Sequence, residues 1–208
     1  MGLIRKITQQ TKNRFLNMYD LEVTHKNGKD SHYYVASRAE KVEDMKISTK
    51  ENTPDGVIIF SIVKEAGGQE KVVLIRQYRY PIDGYIYEFP AGLVDKGENF
   101  AQAAVRELKE ETGLLLDPIP VEEEYEKPYF TTVGMTDESC ATVYGYASGT
   151  MTRKYQEESE EIEVVLADKE EIRRILKEER VAIQCGYMLL HYLHDEDAFA
   201  FLKRKDEV

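Results

Sequence analysis

The chain has 208 residues, 42% of them apolar, with 28 Lys and Arg against 39 Asp and Glu for a net charge of −11. Such a composition suits a globular chain with a real core and excludes the disordered and fibrous classes. That acidic balance, without a basic block, argues against a nucleic-acid partner, and no apolar run approaches the ~18 residues a membrane helix needs.

The opening MGLIRKITQQ carries charge with no apolar stretch behind it, and Lys6 stands where a myristoylation signal wants Ser or Thr, so neither export nor anchoring is expected. Residues 18–38 then hold two alternating stretches, MYDLEVTH and SHYYVAS, around Asn27-Gly28, a strong hairpin signal. A polar stretch, 39–56, separates this hairpin from a second strand pair at 57–63 and 71–80 joined through EAGGQE. After the short segment 85–90, a Gly-rich turn leads into 99–113, where Ala, Leu, Arg, Lys and Glu dominate and Gly113 stands at the stop position; this predicts a helix. Residues 141–148 and 161–167 read as strands. Residues 168–179 and 182–203 read as helices, with apolar stripes at 172, 175 and 176 and then at 189, 190 and 193. The order is β-rich, helix, β, helix, helix: an α/β (α+β) chain without repeats. Cys140 and Cys185 are too few for a disulfide framework and lack CxxC spacing, which points to a cytoplasmic address. His25, His32, His191 and His194 show no metal-ligand spacing.

One segment carries chemistry. In the predicted helix, Glu107, Glu110 and Glu111 lie within about 100° of arc at 100° per residue, so three carboxylates converge where like charges repel and a cation is needed. Oxygen ligands on a rigid helix suit Mg²⁺ or Mn²⁺, ions that usually bridge protein carboxylates to substrate phosphates. The bland alternative is a solvated, Lys/Glu-rich helix face.

The longer spacing decides between them. Gly92, Glu98, Arg106-Glu107-Leu108, Glu110-Glu111 and Gly113-Leu114 fill every fixed position of Gly-x5-Glu-x7-Arg-Glu-U-x-Glu-Glu-x-Gly-U, U being aliphatic. At average composition, seven identities and two aliphatic positions match by chance on the order of 10⁻⁷ over such a chain. The segment resembles the Nudix box. The resemblance implies a Nudix-type α/β/α sandwich with a mixed central sheet plus an N-terminal β-hairpin extension. Residues 1–50 would be a β-rich extension serving dimerisation and 51–208 the hydrolase domain, with the box at 92–114. It further implies cleavage of a nucleoside diphosphate linked to another moiety, with Mg²⁺ (or Mn²⁺). Glu107 and Glu111 would be the principal metal ligands, Glu110 a further ligand or its support, Glu98 an outer carboxylate, Arg106 an orienting partner, and the Ala91 carbonyl a completing ligand.

The flanks choose a branch. Arg76-Gln77-Tyr78-Arg79-Tyr80-Pro81, then Glu88-Phe89-Pro90-Ala91-Gly92, resemble the ADP-ribose and nucleotide-sugar pyrophosphatases. Residues i and i+3 cannot share one strand face, so only one of Arg76 and Arg79 need enter a site; Arg79 is expected to hold a phosphate, and Glu88 a ribose hydroxyl or that arginine. The stretch Thr132 to Glu138 keeps the Gly and Asp-Glu of the family's catalytic loop without its Ser-Pro. The resemblance makes Glu138 the general base toward the attacking water, with Asp137 in reserve. The hairpin would pack on, or swap with, a second subunit, with Phe15, Tyr34 and Arg38 as candidates for an adenine pocket. The expected partners are a small nucleotide substrate and a second copy of the chain, with neither nucleic acid nor membrane. Two alternatives stay open: a dinucleoside polyphosphate or nucleoside triphosphate pyrophosphohydrolase, toward which Tyr129 gives weight, and a non-catalytic nucleotide-sugar sensor.

Overall fold

A computed structural model describes residues 2–156, 161–195 and 197–202. Among these no helix is long and apolar enough to cross a membrane. The chain forms two compact units, one of Met1–Asp55 with Pro128–Cys140 and one of Gly56–Lys127 with Ala141–Val208.

In the first unit, β1 (Leu3–Gln9), β2 (Asn17–Thr24) and β3 (Asp30–Ser37) form an antiparallel sheet in that order. The expected hairpin is β2–β3, its turn carrying Gly28 at φ 81, a left-handed conformation that glycine adopts without a Cβ penalty. Strand β1 is absent from the sequence-based expectation. Its first four residues are exposed and its pairing shifts register between Ile4 and Lys6, so no apolar face advertises it. The sheet buries Tyr19, Leu21 and Val35 with Met45. Met45 comes from the polar stretch, which is therefore more than a spacer: it also forms the short α1 (Lys46–Thr49). The Lys46 ammonium lies 2.6 Å from Asp55 and 2.5 Å from the Ser139 hydroxyl. Segment 128–140 joins the unit through Tyr33, which donates to the Gly134 carbonyl, and Ala36, whose N–H donates to the Met135 carbonyl.

The second unit holds β4 (Gly56–Lys64), β5 (Glu70–Arg79), β6 (Gly84–Glu88), β7 (Ala91–Leu93), α2 (Phe100–Thr112), β8 (Leu115–Pro118) and α3 (Glu123–Glu126). After β9 (Tyr129–Phe130), which belongs to the first unit, follow β10 (Ser139–Ser148), β11 (Ile162–Ala167), α4 (Lys169–Glu178) and α5 (Ile183–His194). The central sheet runs β11-β5-β4-β10-β8, with β6 on β5, β7 on β4 and β9 on β10. The Asp55 N–H donates to the Ser139 carbonyl, so β4 and β10 begin side by side in a sheet whose other pairings are antiparallel; the sheet is mixed, as expected. Both its faces are covered, which is why residues 56–62 are all buried. Val57 and Ile59 pack with Ala103, Ala104 and Leu108 of α2. Phe60, pointing the other way, meets Phe89, Tyr144 and Phe199 edge-on.

The structure corrects three expectations. Strand β8 escapes the sequence pattern because LLDP is too short to show a period. The last helix ends at His194 and a separate 3-10 turn covers Ala200–Leu202, while Lys203, included in the expected helix, lies outside the described residues. The buried stripe of α5 is Cys185, Leu189 and Tyr192, and Leu190 is exposed; an all-round apolar sequence conceals which face is covered. The α4 stripe holds at Ile172 and Ile175.

Candidate active site

The box spans β7, a tight turn and α2. The helix starts at a reciprocal cap: the Asn99 side chain accepts from the Gln102 N–H while the Gln102 side chain accepts from the Asn99 N–H. It ends at Gly113, at φ 80. Ala103, Ala104 and Leu108 fix its rotation against the sheet, which turns its charged residues toward β7.

Those residues gather around one guanidinium. Arg106 forks onto Glu98 at 3.1 and 2.9 Å, reaches Glu107 at 2.7 Å and Glu110 at 3.0 Å, and donates to the Leu93 carbonyl at 2.9 Å. The cation that the carboxylate cluster demanded is thus supplied in part by the chain itself. Glu98, Glu107 and Glu110 share that one arginine, with Asp95 further out at 3.9 Å. Hydrogen bonding to Arg106 holds the Glu98 carboxyl below its ordinary range, and the bonds to Glu98, then Glu107 and Glu110, push the guanidinium further up than usual.

Glu111 is the most buried of the set, 3% exposed, and accepts from the Ala91 N–H at 3.1 Å. Glu107 lies so close against Gly92 that a Cβ there would overlap its carboxylate. That contact explains the glycine physically, since its backbone needs no left-handed conformation. A second hold comes from residues the sequence did not single out: Gln156 donates to the Glu111 carbonyl at 2.6 Å and the Thr152 N–H to the Thr112 carbonyl at 2.9 Å. No motif spacing points to them, and backbone partners such as the Leu93 carbonyl are invisible to residue-type reasoning.

An all-oxygen donor set on a rigid helix, with glycine clearing space beside one carboxylate, fits a hard divalent cation. As they stand, three of the carboxylates turn to Arg106, and among the described residues no three His, Cys, Asp or Glu side chains are grouped to hold an ion. Glu107 and Glu110 would have to trade arginine contacts for metal contacts.

Of the other predicted residues, Arg79 and Glu88 come together, Nε to Oε2 at 2.7 Å. Arg76 instead pairs with Glu163 at 3.5 Å and lies over the Tyr85 ring at 4.1 Å. In the first unit Arg38 grips Glu138 at 2.8 and 2.7 Å, and the other Glu138 oxygen accepts from Thr131 at 3.1 Å. Phe15 is exposed beneath the Arg14 guanidinium, and Tyr34 and Tyr129 are exposed. The structure therefore brings the box residues together, joins Arg79 to Glu88, and joins Arg38 to Glu138.

A model of the NUDIX domain matches residues 52–184. A Caenorhabditis elegans protein that carries the nudix hydrolase name is 37% identical over 124 residues, 57% of this chain and 54% of that one. The ADP-ribose pyrophosphatase of Saccharomyces cerevisiae is 48% identical over 60 residues, 28% of this chain and 26% of that one. The chain thus spans about half, or less, of the length of these relatives. A crystal structure of an ADP compounds hydrolase superposes with a TM-score of 0.65, covering 92% of this chain and 94% of that one at 16% identity, a likeness of fold.

Proposed function

The chain belongs to the Nudix hydrolase family, and from that membership we propose that it hydrolyses the diphosphate of ADP-ribose or a related nucleoside diphosphate sugar, with Mg²⁺, to a nucleoside monophosphate and a sugar phosphate. The observation that carries the reading is the convergence of Glu98, Glu107 and Glu110 on Arg106 beside the buried Glu111. The yeast relative named as an ADP-ribose pyrophosphatase supports the choice of substrate.

In this reading Glu107 and Glu111 would hold the ion, Glu110 and the Ala91 carbonyl would add to its shell, and Glu98 would keep Arg106 in place. A divalent ion so held supplies charge neutralisation on the diphosphate and acidifies a water. The Ala91 N–H fixes the orientation of the Glu111 carboxylate. Arg79 offers the diphosphate a charge-assisted donor, and Glu88 pre-orients that donor. Glu138, held by Arg38 and Thr131, would accept the proton of the attacking water. The exposed Leu16, Met18, Tyr34, Val133 and Met135 of the first unit would be covered by a second copy in a homodimer.

The test is a panel of ADP-ribose, other nucleoside diphosphate sugars, dinucleoside polyphosphates and nucleoside triphosphates, ranked by kcat/KM with Mg²⁺. A higher value for any triphosphate than for every diphosphate sugar would defeat the substrate assignment. Binding without turnover under every divalent ion would defeat the catalytic one.

A further inference from the structure

Lys46, on the short α1 of the first unit, is a cation that the proposed chemistry leaves unused. Its side chain is only 13% exposed, and an ammonium taken out of water is costly unless it is paired and hydrogen-bonded. The partners come from two other stretches of the chain. The ammonium lies 2.6 Å from the Thr53 carbonyl, 2.6 Å from the Asp55 carboxylate and 2.5 Å from the Ser139 hydroxyl. An ammonium carries three protons, so these bonds occupy all of them.

The network closes on the residue that follows Glu138. Ser139, which is fully buried, gives its N–H to the Asp55 carboxylate at 2.9 Å and accepts the Asp55 N–H on its carbonyl at 2.8 Å. Its N–H, carbonyl and hydroxyl are thus all engaged, and Lys46 bridges the hydroxyl to the carboxylate. The Glu138 backbone is bonded as well: its N–H donates to the Thr136 hydroxyl at 3.1 Å and its carbonyl accepts from the Thr131 N–H at 3.1 Å. Main chain and carboxylate are therefore held by separate groups, since Arg38 and the Thr131 hydroxyl grip the carboxylate. The charges of the network also reach the next residue. After burial, Glu138 and then Asp55 push the Cys140 thiol up, while Arg38 and Lys46 pull it down.

We propose that Lys46 is a positioning residue for the hydrolysis: by clamping Ser139 onto Asp55 it sets where the Glu138 carboxylate stands toward the attacking water. The inference rests on the reading of Glu138 as the base and extends it to a lysine that no motif links to that loop. A base must sit within hydrogen-bond reach of the proton it takes, and a shift of about 1 Å can cost up to about 10²-fold. A tether that acts only through the base should lower kcat and leave KM alone.

Lys46→Met removes the three donors and keeps an apolar stem. Its kcat for ADP-ribose should fall about tenfold with KM within about twofold. In a Glu138→Gln chain the same substitution should cost less than about twofold, because no base is left to misplace. A lysine that merely supports the fold would cost the same factor in both backgrounds. Cys140 reports on the loop without turnover: in native Lys46→Met at about pH 7.5 a thiol reagent should label it about tenfold faster than in wild type, while the buried Cys185 keeps its wild-type rate. Should Lys46→Met fail to fold, Ser139→Ala carries the test, since it deletes the hydroxyl and spares the Lys46–Asp55 pair and both backbone bonds; the same pattern should appear at about threefold. An unchanged kcat, equal costs in the two backgrounds, or both thiols quickening together would each overturn the assignment. The two readings fail differently. Glu138→Gln turning over like wild type sinks the base and the lysine's role with it, whereas an impaired Glu138→Gln beside an unimpaired Lys46→Met sinks the lysine alone.

Discussion

Glu111 concentrates the argument in one side chain. It is buried, fixed by a backbone N–H, and lies among like charges, so Glu111→Gln keeps the shape and removes the charge a divalent ion needs. Turnover should fall by roughly 10²-fold or more at saturating Mg²⁺, with melting temperature equal or higher, since a buried carboxylate among others is costly. Gly92→Ala should separate the same terms differently. Its methyl displaces the Glu107 carboxylate, so activity should drop at least about tenfold while circular dichroism stays native. Glu98 titrates below its ordinary range because Arg106 holds its charged form. A depressed carboxyl contributes stability that is present above its unfolded pKa and lost as pH falls through the folded one. Unfolding by urea should therefore show wild type more stable than Glu98→Gln at about pH 7 and the two curves converging below about pH 4. Burial first, then Glu138 and Asp55, push the Cys140 thiol up to about 11, so the native chain should resist thiol reagents at about pH 7.5 and react after unfolding.

At the scale of elements, α2 was legible because its signals are local: Asn99 and Gln102 at one end, Gly113 at the other, and a charged face set by the 3.6-residue period. Gly113→Ala should cost about 1–3 kcal/mol, read as a lowered melting temperature, because φ is positive and the new methyl meets Thr152. The hairpin β2–β3 and strands β4 and β5 were legible for the same reason, alternation or a continuous apolar run closed by turn residues. What escaped notice depends on partners far along the chain. Strand β1 has no apolar face of its own, β8 gets its identity from pairing with β10, and the covered side of α5 is decided by what packs on it. The site divides likewise. The box residues were readable from spacing, whereas the Gln156 clasp on Glu111 and the Arg38–Glu138 pair join positions 45 and 100 residues apart that no motif links.

For the molecule as a whole, the first unit is discontinuous: the chain builds a three-stranded sheet, leaves, and returns with residues 128–140 before β10 carries it into the second unit. The returning segment is tied in by Tyr33, Ala36, Arg38 and Lys46. A chain trimmed to begin at residue 56 would strip those partners from a loop it still contains, along with the Arg38 contact of Glu138. Any lineage that reshaped its amino-terminal sheet would be bound to rewrite this distant loop in step, so inheritance should couple the two stretches as one cassette although about seventy residues of the other unit separate them in the gene.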